Sequence, residues 1–187
     1  LSKMTEAEKP VTIGLVGKYV ELQDAYKSID EALFQAATYA GRKLDLRLIH
    51  SEKVTPDNVG ELLAPMDGVI IAPGFGQRGI EGKFIALEWL RNHNVPTFGI
   101  CLGMQCMVIE YARNVLGLSD ANSTEMNPST PHNVIDLMEE QKSISNMGGT
   151  MRLGAYDCVL KPDSLASRAY GSTMVSERPV SYTHLRA

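Results

Sequence analysis

Three side chains of this sequence could serve as sulfur nucleophiles, Cys101, Cys106 and Cys158, and the first has the neighbours such a role needs. It directly follows the apolar run at 95–100, stands between Gly99 and Gly103 in the stretch GICLGMQ, and precedes a helical run at 104–113. A strand that turns sharply into a helix forces unusual backbone angles on the residue at the turn, and glycines two positions to either side leave room for the crossing chain. The sulfur is thereby pushed out of the sheet. Its place before a helix N-terminus favours the thiolate, because unpaired N–H groups and their partial positive charge face it. The same groups could hold a tetrahedral oxyanion. The Leu102 N–H is the expected first donor, and the glycine-rich turn at 73–76 the expected source of the second. Cys106, inside the apolar helix, and Cys158, in an alternating strand, read as packing residues.

The elements that must position this thiol alternate in type. Residues 11–16 are an apolar run too short for a helix, ended by Gly17, and read as a buried strand. Ser28 with Glu31 has the capping-box form and predicts a helix with Ile29, Leu33, Ala36 and Ala40 on one face, stopped by Gly41. Leu44, Leu46 and Leu48 alternate with Asp45 and Arg47 as in a half-buried strand. A short helix at 59–63, a central strand at 68–72, a turn at 73–79, a helix at 81–92 carrying Phe84, Ile85, Leu87 and Trp89, and a strand at 95–100 follow. Parallel strands need crossovers, which place helices on both faces of the sheet, so the expected fold is α/β, doubly wound and mostly parallel. Ligands then bind at the strands' carboxyl ends. Beyond it, 119–146 reads as loops and irregular strands, 150–160 as paired strands around Gly154, and 163–170 as a short helix.

Composition narrows the function. A chain of 187 residues with 44% hydrophobic content suits one well-formed core, and one domain is the default. The formal charge of -4 and the lack of a Lys/Arg run argue against nucleic acid. Residues 1–10 are too polar for a signal peptide and no stretch is apolar enough for a membrane span, so a soluble, cytoplasmic chain is expected. Three cysteines without CxxC pairing and four histidines, His50, His93, His132 and His184, without HExxH spacing give metal chemistry no support.

GICLGMQ is similar to the nucleophile segment of class I glutamine amidotransferases. Four further segments, GLVGKYVELQDAYKSIDEAL (14–33), APGFGQRGIEGK (72–83), DANSTEM (120–126) and GGTMRLGA (148–155), resemble CTP synthase in order and at suitable intervals. The resemblance covers the chain to Glu177 and implies a flavodoxin-like amidotransferase domain. It implies that glutamine is hydrolysed at Cys101 through a thioester and that the ammonia passes to a synthetase domain of the same polypeptide, which aminates ATP-activated UTP. It implies no cofactor in this domain, ATP and Mg in the synthetase domain, GTP as effector, and a homotetrameric full-length enzyme. By motif, Gly74 and Phe75 would line the glutamine pocket, Leu102, Gly103, Met104 and Gln105 would contact the substrate, and Glu125 would receive its α-amino group. Arg78 and Gly79 match the lid loop through which GTP acts. Residues 1–10 resemble an interdomain linker remnant, 11–178 the amidotransferase domain, and 179–187 match nothing in the family.

The sequence also departs from that pattern. The basic HRHRYE-like stretch and the HPE motif that supplies the family's histidine and glutamate are absent, and Ala72-Pro73 stands where many members have Pro-Gly. SYTHLRA around His184 lacks the carboxylate that should follow, and His50, His93 and His132 fall outside the matched motifs. A non-catalytic module that binds a ligand at the same crevice, or a cysteine hydrolase of the DJ-1/peptidase group, are the alternatives. A thiol amidase needs a base that also protonates departing ammonia. This chain is therefore expected to release negligible ammonia from glutamine in steady state, and sustained release that Cys101→Ala abolishes would contradict that expectation.

Overall fold

The structure, a computed structural model, describes residues 9–22, 24–136, 155–177 and 184–185. The chain divides into two compact units, Leu1–Asp120 and Ala121–Ala187.

In the first unit, β1 (Pro10–Gly17), α1 (Lys27–Tyr39), β2 (Lys43–His50), a 3-10 turn (Ser51–Lys53), α2 (Val59–Leu63), β3 (Gly68–Ile71), α3 (Ile80–Asn92), β4 (Thr97–Gly99) and α4 (Leu102–Asn114) follow one another. The four strands form one sheet in the order β2-β1-β3-β4, all neighbours parallel. Strand β1 pairs with β2 on one side and β3 on the other, so the chain reverses its direction of travel across the sheet there. That reversal opens a crevice at the strands' carboxyl ends. This is the α/β arrangement with a parallel central sheet that the alternation predicts.

The central strand β3 is buried throughout: Gly68–Ile71 has no exposed residue, as expected for a strand covered on both faces. On one face, Leu15, Tyr26, Ile70 and Ala72 form a cluster with Ile29 and Leu33 of α1 packed against it. The capping box at Ser28 does not form. Helix α1 is capped two residues earlier, at Tyr26, without a side-chain cap hydrogen bond, because Tyr26 is pulled into the core and its hydroxyl accepts the Tyr19 N–H at 3.3 Å. The buried face accordingly runs Ile29, Leu33, Ala37, while Ala36 and Ala40 are exposed.

Helix α3 is held against the 3-10 turn by a missing side chain. A Cβ on Gly82 would lie 1.7 Å from the Ser51 carbonyl oxygen. Helix α4 is tied to α3 by Arg91, whose guanidinium donates to the nearly buried Glu110 at 2.8 Å.

The second unit contains β5 (Asn122–Ser123), β6 (Asn133–Asp136), β7 (Tyr156–Val159), α5 (Leu165–Tyr170), β8 (Met174–Glu177) and β9 (His184–Leu185). Strand β6 pairs with β5 in parallel and with β9 antiparallel, and β7 pairs antiparallel with β8. The sequence pairs residues 150–160 among themselves, whereas the observed partner of β7 is β8; residues 150–154 lie outside the described residues, as do most of the motif at 148–155 and the segments 1–8 and 178–183.

Gly82→Ala tests the α3 contact. Backbone cannot yield as a side chain does, so denaturant unfolding should show a loss of about 3 kcal/mol.

Candidate active site

Cys101 caps α4 with φ 54 and ψ -113, one of three non-glycine residues with positive φ among the described residues. Such a conformation costs about 1–3 kcal/mol and persists only where the surroundings enforce it. Here they do. A Cβ on Gly103 would lie 2.0 Å from the Ile71 carbonyl oxygen, and one on Gly99 would lie 2.5 Å from the Met104 nitrogen and 2.6 Å from the Gly103 carbonyl carbon. The Ile100 N–H donates to Ile71 O at 3.0 Å and the Gly103 N–H to Ile100 O at 2.9 Å, locking the turn to β3. The Cys101 side chain is left exposed. Leu102, Gly103 and Gln105 are buried and Met104 is half-buried. The Leu102 N–H, at the first position of α4, is used by no hydrogen bond among the described residues and is available to an oxyanion.

The turn at 73–76 reaches the same place. A Cβ on Gly74 would lie 3.6 Å from Leu102 Cδ2. The N–H groups of Gly74, Phe75 and Gly76 are likewise unused among the described residues, and the Phe75 ring is exposed. Two side chains that the motifs did not single out hold this turn. Lys18, just past β1, donates from Nζ to Phe75 O, and Lys83 of α3 donates to Ala72 O at 2.6 Å. Lys18 is 7% exposed and Lys83 1%. Burial pulls the Lys83 pKa down, the Cys106 and Cys101 thiols favour its charge, and Lys18 opposes it. Its signal in the sequence was a lysine three residues after Ile80 and four before Leu87, on the face of α3 that the period assigns to the core.

Arg78 and Gly79 lie where this turn becomes α3. Gly79 takes φ 76, and a Cβ there would meet Ser51 Oγ at 2.3 Å. The Arg78 guanidinium pairs with Glu52 at 3.2 Å and sits 5.8 Å from the centre of the Tyr19 ring. Glu125 belongs to the second unit, in a loop fixed by the Met126 N–H to Ser123 Oγ at 3.2 Å and by Thr124 Oγ1 to Asp136 at 2.9 Å. Half-burial raises its pKa, and it makes no ion pair among the described residues.

The first unit's histidines have local tasks away from the thiol. His50 Nδ1 accepts the Glu52 N–H at 3.3 Å at the end of β2, three strand positions from β4, about 14 Å at ordinary strand spacing. His93, at the C-terminus of α3, stacks on Trp89 with ring centroids 3.9 Å apart. Cys106 is fully buried as expected, and desolvation pushes its pKa up to about 11. Cys158 departs from expectation: β7 is exposed along its length, so its alternation does not bury the thiol. A cavity of about 420 Å³ between α3 and α4, beside Pro96 and Thr97, lies at the opposite end of β4 from Cys101. Among the described residues no His/Cys/Asp/Glu group could hold a metal ion, and no helix is long and apolar enough to cross a membrane.

A strained, exposed cysteine between a parallel strand and a helix, with spare N–H groups on two converging turns, has the parts that thiol-dependent acyl transfer requires. Residues 21–184 match the family described as Glutamine amidotransferase class-I, and the chain belongs to that family. Within it, the chain is similar to the CTP synthases: 64% identical over 178 residues to that of Bacteroides fragilis and 64% identical over 172 residues to that of Porphyromonas gingivalis. These matches cover 95% and 92% of this chain but only 33% and 32% of those proteins, so it spans about a third of their length. A solved Trypanosoma brucei CTPS glutaminase domain with bound acivicin is 37% identical, with a TM-score of 0.79 over 90% of this chain and 65% of that one.

The three thiols should separate by exposure. A disulfide reagent at pH 8 is expected to titrate two in the folded chain, Cys101 and Cys158, with Cys106 reacting only on addition of denaturant; three fast thiols would contradict the burial of Cys106.

Proposed function

We propose that this chain is the glutamine-hydrolysing part of a CTP synthase, with Cys101 as the nucleophile. The observation that carries the reading is the enforced backbone of Cys101, which exposes its sulfur beside the unused Leu102 N–H. The thiolate attacks the γ-amide carbon of L-glutamine, forming a C–S bond and moving the carbonyl electrons onto oxygen. The Leu102 N–H and an N–H of the 73–76 turn receive that charge. Collapse breaks the C–N bond, and the nitrogen leaves as ammonia with one added proton. Water then adds to the thioester, the C–S bond breaks, and glutamate departs.

In this reading Gly74 and Phe75 line the glutamine pocket, Leu102, Gly103, Met104 and Gln105 contact the substrate, and Glu125 takes the α-ammonium. A carboxylate that burial penalises gains from such a cation. No cofactor is required in this step. Ammonia passes to a synthetase domain of the same polypeptide, which uses ATP and Mg to aminate UTP within a cytoplasmic homotetramer, and GTP acts at Arg78 and Gly79. His50 and His93 are both engaged away from the thiol, so neither is assigned as the base.

Acivicin, bound by the Trypanosoma domain, is the direct probe. Mass spectrometry of the treated chain should show one adduct, on Cys101, abolished by Cys101→Ala. Glutamine should protect against it, and Glu125→Gln should raise the concentration for half-protection roughly 10-fold, the worth of a charge-assisted contact of about 1.4 kcal/mol. Labelling that glutamine does not slow, or that falls on Cys158, would refute the assignment.

A further inference from the structure

Two nearly buried lysines at a crevice, with no carboxylate partner among the described residues, call for a reason. A buried ammonium is costly unless its hydrogen bonds are met, and methionine would fill either position without that cost. Lys83 and Lys18 instead spend their charge on backbone carbonyls, those of Ala72 and Phe75. These carbonyls bracket the segment that bears the spare N–H groups beside Cys101. The Ala72 N–H is bonded in turn to Val16 O at 2.9 Å, which fixes the entering end to β1.

With both ends fixed, little freedom is left between them. Pro73 has a locked φ, so the torsions remaining between the two anchored peptides are Pro73 ψ and both angles of Gly74 and Phe75. A glycine turn that would otherwise sample many shapes is confined, and a Cβ on Gly74 would touch Lys18 Cε at 3.5 Å as well as Leu102. Oxyanion donors are effective only when held in place before the charge forms.

We propose that Lys18 and Lys83 are positioning residues for the amidase step: their ammonium groups clamp the Phe75 and Ala72 carbonyls and so hold the second oxyanion donor of the 73–76 turn over Cys101. The proposal rests on the glutaminase reading of Cys101 and adds to it the origin of the turn's rigidity. Neither lysine touches the substrate. Neither charge is paired with a carboxylate among the described residues, which suits a centre where negative charge develops on the carbonyl oxygen.

The test compares two electrophiles on the whole chain. Iodoacetamide, followed at the Cys101 peptide by mass spectrometry, reports that thiolate without the pocket, whereas acivicin needs the pocket and its donors. In Lys18→Met and Lys83→Met, acivicin kinact should fall roughly 10-fold or more, iodoacetamide alkylation should stay within about 2-fold, and Lys18→Arg, which keeps a donor, should recover most of the loss. Acivicin kinact within about 2-fold of the parent in both methionine variants overturns the proposal. So does an equal fall with both reagents, which would assign the lysines to the thiolate. Should neither methionine variant fold, amide order parameters of Gly74 and Gly76 in the parent chain decide: about 0.85 supports the clamp and below about 0.6 overturns it. A parent chain with no preference for acivicin over iodoacetamide would instead sink the glutaminase reading, a distinct outcome.

Discussion

The closeness of α4 to β3 governs this site. With no side chain on Gly103, the helix backbone can sit where a Cβ would be 2.0 Å from the Ile71 carbonyl oxygen, and no other residue permits it. Because the helix starts so near the strand, the chain must reverse within a few residues, and Cys101 absorbs that reversal at φ 54. The strain, the exposure of the sulfur and the availability of the Leu102 N–H are three results of one contact. Gly99 serves the same crossing from the strand side, where the backbone of Gly103 and Met104 passes over it.

A second constraint acts on the facing turn. The crevice between β1 and β3 exists because the chain reverses its winding direction there, and it exposes carbonyls at the strand ends that neither sheet nor helix satisfies. Lys18 and Lys83 fill that need from the two sides, one from the loop after β1 and one from α3. Charge is thus set against peptide dipoles and thiols rather than against carboxylates. An acid at either place would cancel the field that an oxyanion requires.

The sheet was legible because its pattern has few alternatives: three short apolar runs and one alternating segment, each followed by a helical period, leave little but a parallel α/β order, and the strand at 68–72 and the helix at 59–63 emerge within a residue of expectation. The start of α1 was not, since Ser28 and Glu31 satisfy a local rule that the burial of Tyr26 overrides. Cys158 shows the same limit in a strand. Alternation marks two faces but does not say that either is covered, and β7 with only β8 beside it leaves both open. Cys101 could be read because glycines at fixed offsets encode a backbone shape directly. Lys83 could not, since its role depends on which carbonyl its helix crosses, a tertiary fact that no spacing carries. Glu125 came from resemblance alone; a single acid in a polar loop has no pattern of its own.

The parallel sheet also dictates what the first unit can contribute to catalysis. In the first unit the thiol sits at the carboxyl ends of the strands, where the loops after β1, β3 and β4 emerge. Those loops carry Cys101, the spare N–H groups, Lys18 and Arg78, with Lys83 reaching in from α3, while His50 belongs to β2 at the far edge and is occupied in capping the turn at 51–53. His93 is excluded differently, by α3 running back toward the other end of the sheet before β4 begins. In the proposed reaction, attack and charge stabilisation fall to the sheet's own loops, and neither His50 nor His93 is placed to move the proton. Under that proposal the thiol stays open to reagents while turnover waits on the group that moves the proton.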